Sequence, residues 1–342
     1  MTVTSARSFD YHCGGQALRI VDDPPVAIAG QTAAERRASA IASPQVDGLR
    51  KLLSWEPRGL AAMCGAFVVP PDNSGADLGA VFFRRDGFPS ACGHGAIALG
   101  VWAANSGQVA LRPDGWTDVR IDTPSGRVVT RLACEDQRVR SAECVAVPSY
   151  HLAEDVVVKT DFGEAVASVA YAGEIVVQCD VGRLGLGVGV EDLPKLVAVG
   201  RRLIADIGRT GHAQHPSDRR LDGIAAAVLY EDRGQVESPW GTRRLMQRLV
   251  TVYADGGVDR SVCGSGLAAR VATLTAQRKL DSYDELVAES VIGQTSTARF
   301  SATVAEGRSA VVPVFTGMAH QLGKATFTVD PADPLADGFW LG

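Results

Sequence analysis

A chain of 342 residues, 46% apolar and 21% charged, is long enough for a well-buried core and allows two domains of ordinary size. Its net charge of -5, with the two signs interspersed and no basic block beyond pairs such as Arg219-Arg220 and Arg243-Arg244, argues against nucleic acid and for small-molecule partners. No run approaches the ~18 uncharged apolar residues of a membrane helix and MTVTSARSFDYHCGG has no apolar segment behind a basic start, so a cytoplasmic protein with no membrane partner is expected.

In chain order, alternating or β-rich runs predict strands at 17–21, 66–70, 79–84, 119–122 and 127–132, the last two joined by the turn signal TPSG. Between the first two, Thr32-Ala-Ala-Glu35 is a capping box that opens a helix over TAAERRASAIA. A second helix, VDGLRKLLSW, stops before Glu56-Pro57, because a residue ahead of proline is pushed out of the helical region. The second half repeats the mixture, with strands at 156–159, 164–171, 174–179, 223–230 and 248–253 and several more between 298 and 329. Helices are predicted in EDLPKLVAVGRRLIADIG and over 282–290. The polar segment 212–221, interrupted by Pro216, reads as a loop, and the domain junction falls near residue 150, around VAVPSYHL.

Seven cysteines, an odd number spread over the chain, do not make a disulfide framework in a cytosolic protein of this length. No Cys-x-x-Cys occurs, and His212 and His215 lack a companion ligand, which argues against a metal. Cys13, Cys64, Cys134, Cys144 and Cys179 read as small buried hydrophobes. The other two belong to an internal repeat. CGHGAIALGVWAANSGQV from Cys92 aligns without gaps to CGSGLAARVATLTAQRKL from Cys263, 171 residues later, half the chain. A duplicated fold, each half presenting one cysteine, accounts for both motif and spacing.

Each Cys-Gly-x-Gly sets a sulfur just ahead of a helix, whose first turn has unpaired N–H groups and a partial positive charge. Such surroundings favour a thiolate and suit a substrate carboxylate, and glycine lets a ligand come close to the backbone. Two such helix starts aimed at one amino or imino acid would let one thiolate take the Cα proton while the opposite thiol delivers another to the other face, inverting the stereocentre. Amides and helix dipoles would stabilise the enolate-like charge, and the two thiols would titrate as a coupled pair. His94 fits either a surface turn histidine or a hydrogen-bonding group beside the thiol. Asp259, four residues before Cys263, fits either a turn residue or an acceptor for a substrate ammonium.

ACGHG and DRSVCGSG resemble the paired cysteine signatures of the proline racemase family, which includes proline racemases, 4-hydroxyproline 2-epimerases and trans-3-hydroxyproline dehydratases. YHCGGQALRIV resembles the family's opening strand, SWEPRG its Glu-Pro-Arg-Gly segment, and ESVIGQTSTARF, VVPVFTGMAH and DPADPLADGFWL its C-terminal third, so the resemblance runs nearly end to end. It implies an α/β (α+β) fold of two pseudo-symmetric lobes of diaminopimelate-epimerase type, each a mixed sheet or barrel around a central helix, with the active site in the cleft between them. Residues 1–150 would form the lobe carrying Cys92 and 151–324 the lobe carrying Cys263, with 325–342 packing back onto the first.

The resemblance further implies a cofactor-free, metal-free isomerase acting on a small imino acid, with Cys92 and Cys263 as the acid/base pair. By the same carry-over Gly93, His94, Gly264 and Ser265 hold the carboxylate and Asp259 the ring nitrogen. The chain is expected as a monomer or a homodimer. Dehydratase members typically have threonine for the second cysteine, so Cys263 favours a two-base racemase or epimerase of proline or a hydroxyproline over dehydration of trans-3-hydroxy-L-proline. Ala91 and Ala96 stand where the family often has Met and Thr, and Ser265 and Leu267 where it has two threonines; the smaller Ala91 would enlarge the pocket. Gly223 aligns with a strand position where hydroxyproline epimerases tend to carry histidine, which weakens the case for 4-hydroxyproline. The reading from another class is a catalytically silent imino-acid-binding or thiol-redox protein.

Overall fold

The structure, a computed structural model, describes residues 5–341 apart from 238 and 240. The chain forms two compact units, one running through Cys144 and resuming at Gly317, the other Val145–Thr316. In the first, β1 (Ser5–Cys13) turns into β2 (Gln16–Val21) through Gly14 and Gly15 at φ 56° and 86°, values that glycine adopts without a Cβ clash. Helix α1 (Ala33–Ala42) begins at the capping box: Glu35 N–H donates to Thr32 Oγ1 at 3.2 Å and Thr32 N–H to the Glu35 carboxylate at 3.3 Å. Helix α2 (Pro44–Ser54) is capped by Ser43, with proline in the first turn, where a missing N–H removes no helical bond. These helices return the chain to β3 (Cys64–Val69), parallel to β2. Next, β4 (Leu78–Arg84) runs antiparallel to β3, α3 (Gly93–Asn105) crosses over, and β5 (Gly115–Thr123) lies parallel to β4. The hairpin to β6 (Gly126–Glu135) and then β7 (Arg138–Val145) follow.

The second unit repeats this plan. Strands β8 (Tyr150–Thr160) and β10 (Ile175–Asp180) each run antiparallel to β9 (Gly163–Tyr171) between them, α4 (Leu193–Ile207) crosses over, and β11 (Ile224–Glu237) lies parallel to β10. Antiparallel β12 (Arg243–Tyr253) leads to α5 (Gly264–Ala276), then β13 (Glu285–Ser290) parallel to β12, and finally β14 (Thr295–Ala305) and β15 (Arg308–Gly317). The strand order is β8-β9-β10-β11-β12-β13-β14-β15. In the first unit the place of β8 is filled from the far end of the chain: β16 (Ala319–Thr328) pairs antiparallel with β1, from Ser5↔Thr328 to Cys13↔Ala319. That order is β16-β1-β2-β3-β4-β5-β6-β7. The fold is thus mixed α+β, with each unit a mixed sheet around a central helix.

Two expectations need correction, the helix over 282–290 and the strand position of Gly223. The segment 282–290 is not a helix; β13 alternates buried Leu286, Ala288 and Ser290 with half-buried neighbours and pairs with β12 from Arg244↔Glu285 to Leu249↔Ser290. A parallel neighbour bonds it along its whole length, and its period-2 burial puts alternate residues into the core, which a helix would not do. The C-terminal return, expected from about 325, includes β16, and the first stretch of that compact unit runs through Cys144, near the expected junction at 150. Gly223 lies just outside β11, at φ 102°, its N–H donating to the Ala213 carbonyl at 2.7 Å. A histidine there would have to adopt a backbone that L residues rarely take.

Helices α3 and α5 are enclosed on all sides: every residue from 94 to 103 and from 264 to 274 is buried. A helix that shows no polar face belongs in a core. Small residues allow that depth. A Cβ on Gly100 would stand 2.5 Å from Thr130, and one on Gly266 2.8 Å from Val228. Helix α4 is instead amphipathic, burying Leu196, Val199, Leu203 and Ile207 on one face. Among the described residues no helix is long and apolar enough to cross a membrane.

Candidate active site: two cysteines at the starts of enclosed helices

Cys92 is the N-cap of α3, in ordinary extended conformation (φ -157°, ψ 98°), and its Sγ accepts the Gly95 N–H at 3.3 Å. The thiol thus takes the place of the usual Ser or Asp cap on an orphan donor of the first turn. Gly95 is needed there, because a Cβ would lie 2.7 Å from the Phe82 ring and 3.0 Å from that sulfur. Cys92 is half-buried, Gly93 follows it, and His94 is buried, so it is not a surface histidine.

Cys263 precedes α5 in the same way but is held differently. It is buried, and its backbone stands at φ 58°, ψ 111°, a region that costs a non-glycine residue about 1–3 kcal/mol. Its Sγ lies 3.5 Å from the Ser265 hydroxyl, and its N–H donates to Ser261 Oγ at 3.4 Å. Asp259 is buried, with its N–H bonded to the Thr251 carbonyl at 2.9 Å, so it is no surface turn residue. One carboxylate oxygen accepts from Ser261 N–H at 2.9 Å and Ser261 Oγ at 2.6 Å, the other from the Tyr253 hydroxyl at 3.0 Å.

The first unit therefore gathers Cys92, Gly93 and His94, and the second gathers Asp259, Cys263, Gly264 and Ser265, each set around one helix start. Ala96 and Leu267, at matching positions of the two helices, are both buried and complete the first turn by donating to the carbonyls of Cys92 and Cys263 at 2.9 and 2.8 Å. Ser261 and Tyr253 were not expected at the site; a Ser two residues before each cysteine, Ser90 and Ser261, was the available signal. The remaining cysteines are buried. Burial pushes the Cys144 thiol up to about 12, with Cys92 adding to the rise, and burial likewise pushes Cys179 to about 12. Among the described residues no group of three or more His, Cys, Asp or Glu is placed to hold a metal.

The family model described as proline racemase matches residues 8–340. The chain is 33% identical to a trans-3-hydroxy-L-proline dehydratase of Bacillus cereus, covering 98% of both chains. It is equally 33% identical to a 3-hydroxyproline 2-epimerase of Burkholderia multivorans, again over 98% of each. A hydroxyproline epimerase of Agrobacterium vitis, solved with bound trans-4-hydroxy-L-proline, superposes with a TM-score of 0.87 at 28% identity, covering 99% of this chain and 96% of the other.

Proposed function

Because the chain belongs to the proline racemase family, we propose that it is a cofactor-independent racemase or epimerase that inverts C2 of proline or a hydroxyproline. The observation that carries this reading is the pair of cysteines: each unit has one at the start of its enclosed helix, and the second is not replaced by threonine. Overall identity to a dehydratase and to an epimerase is the same, so it decides nothing. The chemistry of the helix starts has to decide.

In the proposed reaction the substrate carboxylate is held by the first-turn N–H groups at Gly93, His94, Gly264 and Ser265, and Asp259 accepts from the ring nitrogen. One cysteine, as thiolate, takes the Cα proton; the electron pair moves into the carboxylate, giving a planar enediolate-like species that the amides stabilise. The other cysteine, as thiol, gives its proton to the opposite face. Each turnover leaves the two sulfurs with their protonation states exchanged, so the next turnover runs in reverse or follows a proton exchange with water. Both cysteines must stay reduced, which fits a reducing, cytoplasmic setting.

Incubation with each isomer of proline, 4-hydroxyproline and 3-hydroxyproline in D2O tests the reading. Deuterium at C2 with a change of optical rotation is the expected result. Water loss from 3-hydroxyproline to a cyclic imine, without inversion of any substrate, would assign dehydration instead. Cys92→Ser and Cys263→Ser are each expected to lower turnover at least about 100-fold, the lower end of what a positioned acid or base contributes.

A further inference from the structure

Tyr253 and Ser261 stand between the end of β12 and the start of α5, and both are buried. A carboxylate offers about four acceptor directions. Three of those on Asp259 are taken, two by Ser261 and one by Tyr253, which leaves a single defined direction for a ligand. The Ser261 hydroxyl has a second contact, accepting the N–H of Cys263, the residue at φ 58°. One hydroxyl thus joins the carboxylate to the strained backbone that carries the sulfur. In the first unit the same offsets from Cys92 hold Phe82 and Phe88 in place of Tyr253 and Asp259, and Cys92 is unstrained. Ser90 stands at the offset of Ser261, but with Phe82 and Phe88 the first unit has no counterpart of the Tyr253–Asp259 pair.

We propose that Tyr253 and Ser261 are positioning residues that together aim the open acceptor direction of Asp259 and hold Cys263 in its left-handed backbone. The inference rests on the function proposed above, in which Asp259 meets the ring nitrogen and Cys263 moves the proton. Tyr253 then acts on binding, since Asp259 meets the nitrogen in ground and transition states alike. Ser261 acts on the proton transfer itself, because it touches the backbone of the reacting residue.

The test uses the full chain with Tyr253→Phe, Ser261→Ala and Ser261→Thr, measuring kcat and KM on the imino acids the wild type turns over. In parallel, the alkylation rates of Cys92 and Cys263 by iodoacetamide are read separately by peptide mass spectrometry. Loss of one hydrogen bond by Tyr253→Phe is expected to raise KM about 3- to 10-fold with kcat within about twofold. Ser261→Ala is expected to lower kcat about tenfold and to change Cys263 alkylation at least about threefold while Cys92 is unaffected, with Ser261→Thr recovering most of both. Values within about twofold of wild type for Tyr253→Phe in KM and for Ser261→Ala in kcat and Cys263 alkylation would overturn the inference. Should Ser261→Ala not fold, the near-isosteric Tyr253→Phe decides alone. A wild type that turns over no imino acid sinks the proposed function, and the alkylation arm then still decides whether Ser261 governs Cys263.

Discussion

Seven residues beyond its cysteine, α3 carries Leu99 and α5 carries Arg270, and both side chains are buried. Leu99 belongs to an enclosed run of apolar and small residues that includes Trp102 and ends on Ala103. Arg270 is held by neutral groups: Nε donates to the Gln247 side-chain oxygen at 3.2 Å, an NH group to that of Gln178 at 2.9 Å, and the guanidinium stacks 3.7 Å over the Tyr230 ring. Burial pulls its pKa below the usual arginine value, while Tyr230 and then Asp180 act in the other direction. The contrast continues toward the cysteine, where Phe82 and Phe88 of one unit match Tyr253 and Asp259 of the other. Strand order and helix start are shared by the two units; their interior chemistry is not. A duplicated frame can therefore present a cysteine at each helix start while only the second half sets a buried acidic side chain, Asp259, ahead of it, held by Tyr253 and Ser261.

Exchanging residues between the halves probes this difference. Leu99→Arg is the harshest exchange, because it puts a guanidinium in the place of a fully buried apolar side chain; a loss of about 4 kcal/mol in urea denaturation, or failure to fold, is expected. A stability within about 1 kcal/mol of wild type would show that the first core accepts a charge as the second does. Gly100→Val copies Val271, the matching residue of α5, yet its Cβ meets Thr130 at 2.5 Å. It is expected to cost about 2 kcal/mol, read as a lower Tm, since a β-branched neighbour in a strand yields little.

The reverse exchange, Arg270→Leu, removes a buried charge but leaves the Gln178 and Gln247 oxygens without that donor. A loss of about 1–3 kcal/mol is expected, part of it returning when Gln247→Leu is added, because deleting both partners costs less than orphaning one. No recovery in the double variant would mean that the stacking on Tyr230 matters more than the amides. The smallest effect is that of pH. Burial holds His151 and His215 in the second unit, and His12 in the first, below the ordinary histidine pKa. Their neutral forms favour the fold fully above about pH 6.5, and the contribution is lost as the pH falls from there toward the lowered folded values. The Tm should drop between pH 7.5 and 5.5, with His215→Gln removing part of the drop; a flat Tm would remove these histidines from the account.

Much of this was legible in the chain. The Thr32/Glu35 box, the TPSG turn, the amphipathic α4 and the two Cys-Gly-x-Gly helix starts each depend on groups a few residues apart, so their geometry is decided locally. The segment 282–290 was misread because a short apolar alternation cannot be told from a helical turn without its neighbour, and that neighbour, β12, lies some forty residues away. Asp259 was picked out by its place before Cys263, but Tyr253 was not, since nothing in a strand-final tyrosine announces a carboxylate six residues on.

By itself the sequence determined that the chain is a duplication and that each half offers one cysteine at the start of a helix of similar length. These are consequences of the repeat and of the Cys-Gly-x-Gly motif ahead of each helix. Only the tertiary structure decided that the last strand completes the first unit, through pairs such as Ser5↔Thr328 that no local rule could anticipate. It also decided that Cys92 caps its helix in a relaxed backbone while Cys263 sits in a strained one tied to Ser261 and Asp259. A backbone angle and a buried hydrogen bond depend on what the surrounding strands press against them, and that pressure exists only once the chain is folded.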